Sequence, residues 1–319
     1  MINTIATPAL WTGFAVFVVV AIAVDLLALE RKGAHAVTVR EAVLWSILWV
    51  VLSLIFCALL WYWVNLNLGP EIANQKATEF LTGYVIEKSL SVDNIFVFLM
   101  LFGAFAVPTD LQKRALIIGV IGAVILRAIM ILIGAWLLTK FSWLLYVFGA
   151  FLVFTGMKML LVAEHDPDIE KNPFLHWMRG HLAITKNYVD GHLTLVKDGK
   201  RWFTPLFLVV TLIGITDVIF AVDSIPAIFA ITTDPFIVMT SNIFAVLGLR
   251  ALFFLLADMA ERFHLLKFGL AFVLTFIGSK MLIVDFVHIP VGTSLAVVGS
   301  LLVTSIIASL ARPVKKHEP

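Results

Sequence analysis

Charge is what this sequence has least of. Asp, Glu, Lys and Arg make up 14% of its 319 residues, against roughly 25% in a soluble domain, while 61% of the residues are hydrophobic and the mean hydropathy is +1.03. Water is therefore not its main solvent. The formal net charge is only +2 and no dense basic run stands outside the loops, which excludes a nucleic-acid partner. A single cysteine, Cys57, lies in an apolar run. It excludes a disulfide framework and a thiolate metal cluster, and reads as a small buried hydrophobe. No Lys or Arg precedes the first apolar run, and Arg31 and Lys32 follow it, so that run is not expected to be a cleaved signal peptide. No GxGxxG, P-loop, HExxH or nucleophile elbow occurs in a suitable context. The chain therefore reads as neither an enzyme nor a nucleotide-driven pump, and no permanently bound cofactor is expected.

What is present instead is a succession of long apolar runs. A helix needs about 20 mostly apolar residues to cross a bilayer, and nine stretches qualify, near 9–29, 43–64, 79–107, 115–138, 141–163, 204–232, 236–257, 265–286 and 291–311. The expectation is an all-α polytopic protein with the lipid bilayer as its surroundings. Lys and Arg collect in cytoplasmic loops. Alternate assignment puts sixteen of the 23 basic residues inside, only Lys76 and Lys140 outside, and five within spans. The expected topology is thus N-out and C-in. Trp61, Tyr62, Trp63, Trp136, Trp143 and Tyr146 fall near the outer ends as interfacial anchors.

Three internal matches occur in the same order. Glu87 to Ile95 (EKSLSVDNI) matches Asp217 to Ile225 (DVIFAVDSI), Leu126-Arg127-Ala128 matches Leu249-Arg250-Ala251, and Gly156-Met157-Lys158-Met159-Leu160 matches Gly278-Ser279-Lys280-Met281-Leu282, at offsets of 130, 123 and 122 residues. The unit holds three helices, so the two copies enter the membrane from opposite sides. The expected organisation is one membrane domain: a two-helix hairpin over 1–78, repeat A over 79–163, a cytoplasmic loop over 164–203, repeat B over 204–286, and a final helix with a basic tail over 287–319. Inverted repeats of this kind underlie alternating access. Within the loop, Pro173 to Ile184 reads as an interfacial helix, and Leu193–Val196 with Arg201–Phe203 reads as a hairpin around Asp198-Gly199; a plain loop is the alternative.

Carboxylates inside a bilayer are costly and rare unless paired or functional. Four fall in the paired motifs: Glu87, Asp93, Asp217 and Asp223. Residues six apart on a helix differ by about 240° and lie about 9 Å apart along the axis, so each pair is expected to need a bent helix to face one small site. Pro226 removes the hydrogen bond to the Val222 carbonyl beside Asp223. Carboxylates with the Asn94 amide, the Ser224 and Thr216 hydroxyls and a freed carbonyl are hard oxygen donors suited to Mg²⁺, Ca²⁺ or Mn²⁺, whereas the eight histidines fall in loops or at span edges. The competing reading is neutralisation by the in-span bases. Arg127 and Arg250 sit mid-helix, Lys158 and Lys280 sit near span ends where they snorkel, and Lys88 points about 100° away from Glu87 towards a neighbouring helix. Asp25 in the first span is a fifth intramembrane acid.

The stretches TGYVIEKSLSVDNIFVF (82–98) and DVIFAVDSIPAIFAITTDPF (217–236), with the LRA and GxKML pairs, resemble the TerC family of integral membrane proteins over essentially the whole chain. The resemblance implies a bacterial inner-membrane protein of seven to nine helices, in a family named for tellurium resistance and associated with Mn²⁺ efflux. It further implies that Glu87, Asp93, Asp217 and Asp223 form the metal site, with Mn²⁺ as the transported ion. The family's second motif carries a further glutamate three residues before its first Asp, a position held here by Gly214. The expected function is secondary export of Mn²⁺ or a similar hard divalent cation. The alternatives are transport of a tellurium oxyanion or another solute, and a non-transporting scaffold whose 164–203 segment binds a protein not identified by the sequence.

Overall fold

The structure, a computed structural model, describes residues 4–30, 39–141, 143–161, 180–185, 187–189, 191–197, 200–256, 265–287 and 289–311, without the side chains at 25–30, Val39, Val92, Asp93, Phe96 and Lys197. The expectations for Asp25, for the Asp93 carboxylate, for the Asp198-Gly199 turn and for most of the 173–184 helix lie outside the described residues.

The described chain is almost entirely helical: α1 (Pro8–Glu30), α2 (Val39–Leu68), α3 (Pro70–Ala104), α4 (Thr109–Lys140), α5 (Leu144–Leu161), α6 (Pro205–Phe229), α7 (Pro235–Leu247), α8 (Leu249–Leu256), α9 (Leu266–Leu282) and α10 (Val291–Ala311). Prolines punctuate it. Pro70, Pro205 and Pro235 each open a helix, where the missing N–H costs nothing, and Gly69 at φ 93° permits the tight turn between α2 and α3. Among the described residues five helices are individually long and apolar enough to cross a membrane, and α7 with α8, bent by 40° at Gly248, makes a sixth if the pair is one span. The apolar part of α1 covers Pro8–Val24, α9 has 17 residues, and α3 carries Glu79, Glu87, Lys88 and Asp93 within one stretch. The protein is a polytopic all-α membrane protein, but nine spans are not confirmed on length and apolarity.

The bends expected in the two motif helices are not made. Both α3 and α6 run unbroken through their motifs, Pro226 included. The bend falls instead between α7 and α8. Its neighbour Lys88 donates to the Ala245 carbonyl at 3.3 Å, placing a cation at the C-terminal end of α7 where the helix dipole favours it.

Lipid-facing and protein-facing residues separate cleanly. Leu44, Ile47, Leu48, Val51, Leu54, Ile55 and Leu59 on α2 are exposed at helical spacing. By contrast every residue of α7 is buried, and Phe236 and Phe244 pack in an aromatic cluster with Phe14, Phe17, Phe56 and Phe80.

The α5–α9 contact displays the relation between the repeats. A Cβ placed on Gly278 would meet the Gly149 carbonyl oxygen at 2.6 Å and Val153 N at 2.8 Å, and one on Gly156 would meet the Ala271 carbonyl oxygen at 2.7 Å and the Thr275 backbone nitrogen at 2.9 Å. Under the offset of 122, Gly156 becomes Gly278, Gly149 becomes Ala271 and Val153 becomes Thr275. Each contact thus has its mirror partner, as a two-fold axis requires, and the two helices run antiparallel. Small residues let the backbones approach closely, which is the main source of helix association in lipid. The other equivalent pairs, α3 with α6 and α4 with α7, also pack together, as do α3 with α7 and α4 with α6.

In the loop, Thr194–Lys197 (β1) pairs antiparallel with Lys200–Phe203 (β2), Thr194 opposite Phe203 and Lys197 opposite Lys200. The hairpin expected from the sequence is present, displaced by one residue. Tyr188 anchors this segment by donating from its hydroxyl to the Phe105 carbonyl at 2.8 Å.

Candidate functional site

Helical periodicity aligns residues at i, i+4 and i+7 on one stripe. On α3 this stripe is Glu87, Ser91 and Asn94, and on α6 it is Asp217, Ala221 and Ser224. All six are buried, and they are repeat equivalents under the offset of 130. Asp223, at i+6, falls on a different face. It is half-buried and accepts from the Thr155 hydroxyl of α5 at 3.4 Å. The helices therefore need no bend, because the two acids of the second motif serve different neighbours.

Between the stripes stands Arg127 of α4, fully buried. Its Nε and Nη2 donate to Asp217 Oδ2 and Oδ1 at 3.2 and 2.8 Å, the two-point geometry that suits a guanidinium to a carboxylate. Its Nη1 donates to Glu87 Oε1 and, at 3.3 Å, to Asn242 Oδ1. The Asn242 amide returns a bond to Glu87 Oε2 at 2.9 Å, and the Asn94 amide reaches Asp217 Oδ1 at 3.5 Å. A buried charge is tolerated only when paired and hydrogen-bonded, and this cluster satisfies both conditions for its three ions. Two neutral oxygens are left over: Asn94 Oδ1 and Ser91 Oγ are buried without a hydrogen-bond partner among the described residues. The Ser224 hydroxyl faces Glu87.

The candidate residues thus sort by position. Glu87, Asn94, Asp217, Ser224 and Arg127 converge. Asp223 does not join them, and among the described residues no three His, Cys, Asp or Glu side chains form a metal-sized group. Thr216 is committed to the Leu212 and Ile213 carbonyls of its own helix. Arg250 is buried in α8, two residues beyond Gly248. Lys88 is turned to the end of α7, as its direction on α3 predicts. Lys158 is exposed on α5, but Lys280 does not snorkel: it is buried and donates to the Ser294 hydroxyl at 2.9 Å.

Two participants escaped the sequence reading. Asn242 is a lone amide in the apolar run Pro235–Leu247, and that isolation was the available signal. Glu79 is buried and accepts from Gln75, Lys76 and Thr232 at 2.8, 2.8 and 2.6 Å. With Lys76, Thr233 and Lys280 it lines a cavity of about 340 Å³ at the face assigned to the outside. Eight residues separate it from Glu87, about 12 Å along α3.

Among known proteins, the integral membrane protein TerC family matches residues 72–317. The chain is 56% identical over 305 residues to "Putative membrane-bound redox modulator Alx" of Escherichia coli (strain K12), covering 96% of this chain and 95% of that protein. A protein of the same name from Photorhabdus laumondii is 51% identical over 308 residues, covering 97% of this chain and 96% of its own length. A membrane protein of Rickettsia felis is 41% identical over 302 residues, covering 95% and 97%. No solved structure matches.

Proposed function

The chain belongs to the TerC family of integral membrane proteins, and on that premise we propose that it is a secondary transporter exporting Mn²⁺ or a similar hard divalent cation across the bacterial inner membrane. One observation carries this reading. Equivalent acids from two oppositely oriented repeats, Glu87 and Asp217, converge on a single fully buried cationic group, with Ser224 beside Glu87 and, on the stripe of Glu87, the oxygens of Asn94 and Ser91 that have no partner among the described residues. Carboxylate, amide and hydroxyl oxygens are the donor set of hard divalent ions. A site at the junction of inverted repeats is where alternating access needs it. Asp223 acts in this scheme as a flanking carboxylate that passes the ion or exchanges protons, Asp93 is proposed for the same role from its place in the motif, and the Glu79 cavity serves as the outer mouth. As a secondary transporter it would draw on the gradient of another ion, and protons exchanged by Asp223 are the candidate.

Oxyanion transport has less support, because the Arg127 guanidinium already spends four hydrogen bonds on Glu87, Asp217 and Asn242. A thiol-based redox role would rest on Cys57 alone, the only cysteine, which is buried with its sulfur 3.7 Å from the Ala77 carbonyl. The test is Mn²⁺ efflux from cells carrying Glu87→Gln or Asp217→Asn. Retention of manganese supports the assignment, and efflux at the unmutated rate overturns it.

A further inference from the structure

We propose that Arg127 is a tethered surrogate for the transported cation: its guanidinium holds the carboxylates while the carrier is empty and must withdraw when a divalent ion arrives. The inference rests on the cation-transport reading above. Arg127 takes three of the four carboxylate oxygens of Glu87 and Asp217, and the Asn242 amide takes the fourth. These are the charged oxygens a divalent ion would need, so guanidinium and ion compete for one set of ligands. An arginine does not give up its proton in a protein. It can leave only by moving, never by titration.

The placement gives this competition a mechanical meaning. Arg127 and Glu87 belong to repeat A, and Asp217 belongs to repeat B. The contacts of Arg127 with Asp217 therefore bridge the two bodies that alternating access moves against one another. An empty site of two ionised, fully buried carboxylates would resist any motion that carries it through the membrane, since unpaired intramembrane charge is strongly disfavoured. Arg127 pairs both carboxylates and cancels one of their two charges in the empty carrier, as the divalent cargo cancels both in the loaded one. Asn242, already 3.3 Å from Nη1, offers the departing guanidinium a neutral acceptor.

The empty and loaded half-cycles therefore depend on Arg127 in opposite ways. Purified protein in liposomes separates them. Net Mn²⁺ efflux requires the empty carrier to return, whereas exchange of labelled for unlabelled Mn²⁺ uses only the loaded carrier. For Arg127→Gln, the expected result is Mn²⁺ binding tighter by about tenfold or more, loss of net efflux and persistence of exchange. A folded Arg127→Gln protein whose Mn²⁺ affinity is unchanged or weaker, or whose net efflux and exchange change together, overturns the proposal. If Arg127→Gln is not recovered folded, Arg127→Lys keeps the charge but not the two-point grip. It should bind Mn²⁺ more tightly than the unmutated protein and slow net efflux more than exchange, and identity with the unmutated protein in both overturns the proposal. Absence of any Mn²⁺ flux or binding in the unmutated protein would instead overturn the transport reading itself.

Discussion

Arg127 grips both oxygens of Asp217, at 3.2 and 2.8 Å, from a helix of the opposite repeat. This contact joins the fold to the site, because it is at once the charge balance of the core and a bond between the two halves of the molecule.

Arg127 is one cation shared by two carboxylates, so removing it leaves both acids uncompensated. Arg127→Gln should lower stability by about 3–5 kcal/mol, whereas Asp217→Asn and Glu87→Gln each leave Arg127 paired with the remaining acid and should cost less. Thermal unfolding of detergent-purified protein checks this. Neutralising all three groups, Arg127→Gln with Asp217→Asn and Glu87→Gln, should cost less than Arg127→Gln alone, because no unpaired charge is left buried.

Gly156 and Gly278 are equivalent across the α5–α9 contact, and each faces backbone of the other helix at under 3 Å from its would-be Cβ. Gly278→Val and Gly156→Val should therefore both destabilise, by about 1–3 kcal/mol each, and by similar amounts. Gly122→Val is the comparison, since a Cβ there meets nothing within 4 Å. Loss of melting temperature at 156 and 278 but not at 122 is the expected pattern.

Gly214 lies one turn before Asp217 on the same stripe of α6, and a Cβ there meets nothing within 4 Å. The helix thus has room for a side chain at 214, where the resemblance to the family implies a further acid. Gly214→Glu should tighten Mn²⁺ binding, by about tenfold, while Gly214→Ala should leave binding unchanged and stabilise the helix by up to about 1 kcal/mol. Titration calorimetry on the two proteins separates the carboxylate from the helix effect.

Asp223 bonds Thr155 and stands apart from the Glu87–Asp217 cluster. Asp223→Asn should slow transport while leaving equilibrium Mn²⁺ affinity close to that of the unmutated protein, whereas Asp217→Asn should lose both. Parallel binding and flux measurements on the two variants check the distinction.

The helices and the repeat were legible because both leave local marks. Apolar runs of membrane length announce the spans, and the packing glycines 156 and 278 recur because both halves of a two-fold contact need the same small residue. The pairing of the two loop strands was legible from the residues of 193–196 and 201–203. The pairing of charges was not. Leu126-Arg127-Ala128 and Leu249-Arg250-Ala251 read alike, yet the contacts of Arg127 with Glu87 and Asp217 depend on how α3, α4 and α6 meet. Asn242 left no trace in the repeat because its counterpart is Gly119, and Glu79 read as a span edge until Thr232 and Lys76 closed around it. Six-residue spacing correctly placed the two acids of α6 on different faces, but the expectation that they must share a site turned this into a bend that the helix does not make.

The most direct measurement is flux of divalent cations into and out of liposomes holding the purified protein, with and without a pH gradient, compared with the Asp217→Asn protein. The account predicts Mn²⁺ movement by the unmutated protein that is lost in Asp217→Asn. Equal Mn²⁺ movement by the two proteins, or movement of no divalent cation by either, would contradict it.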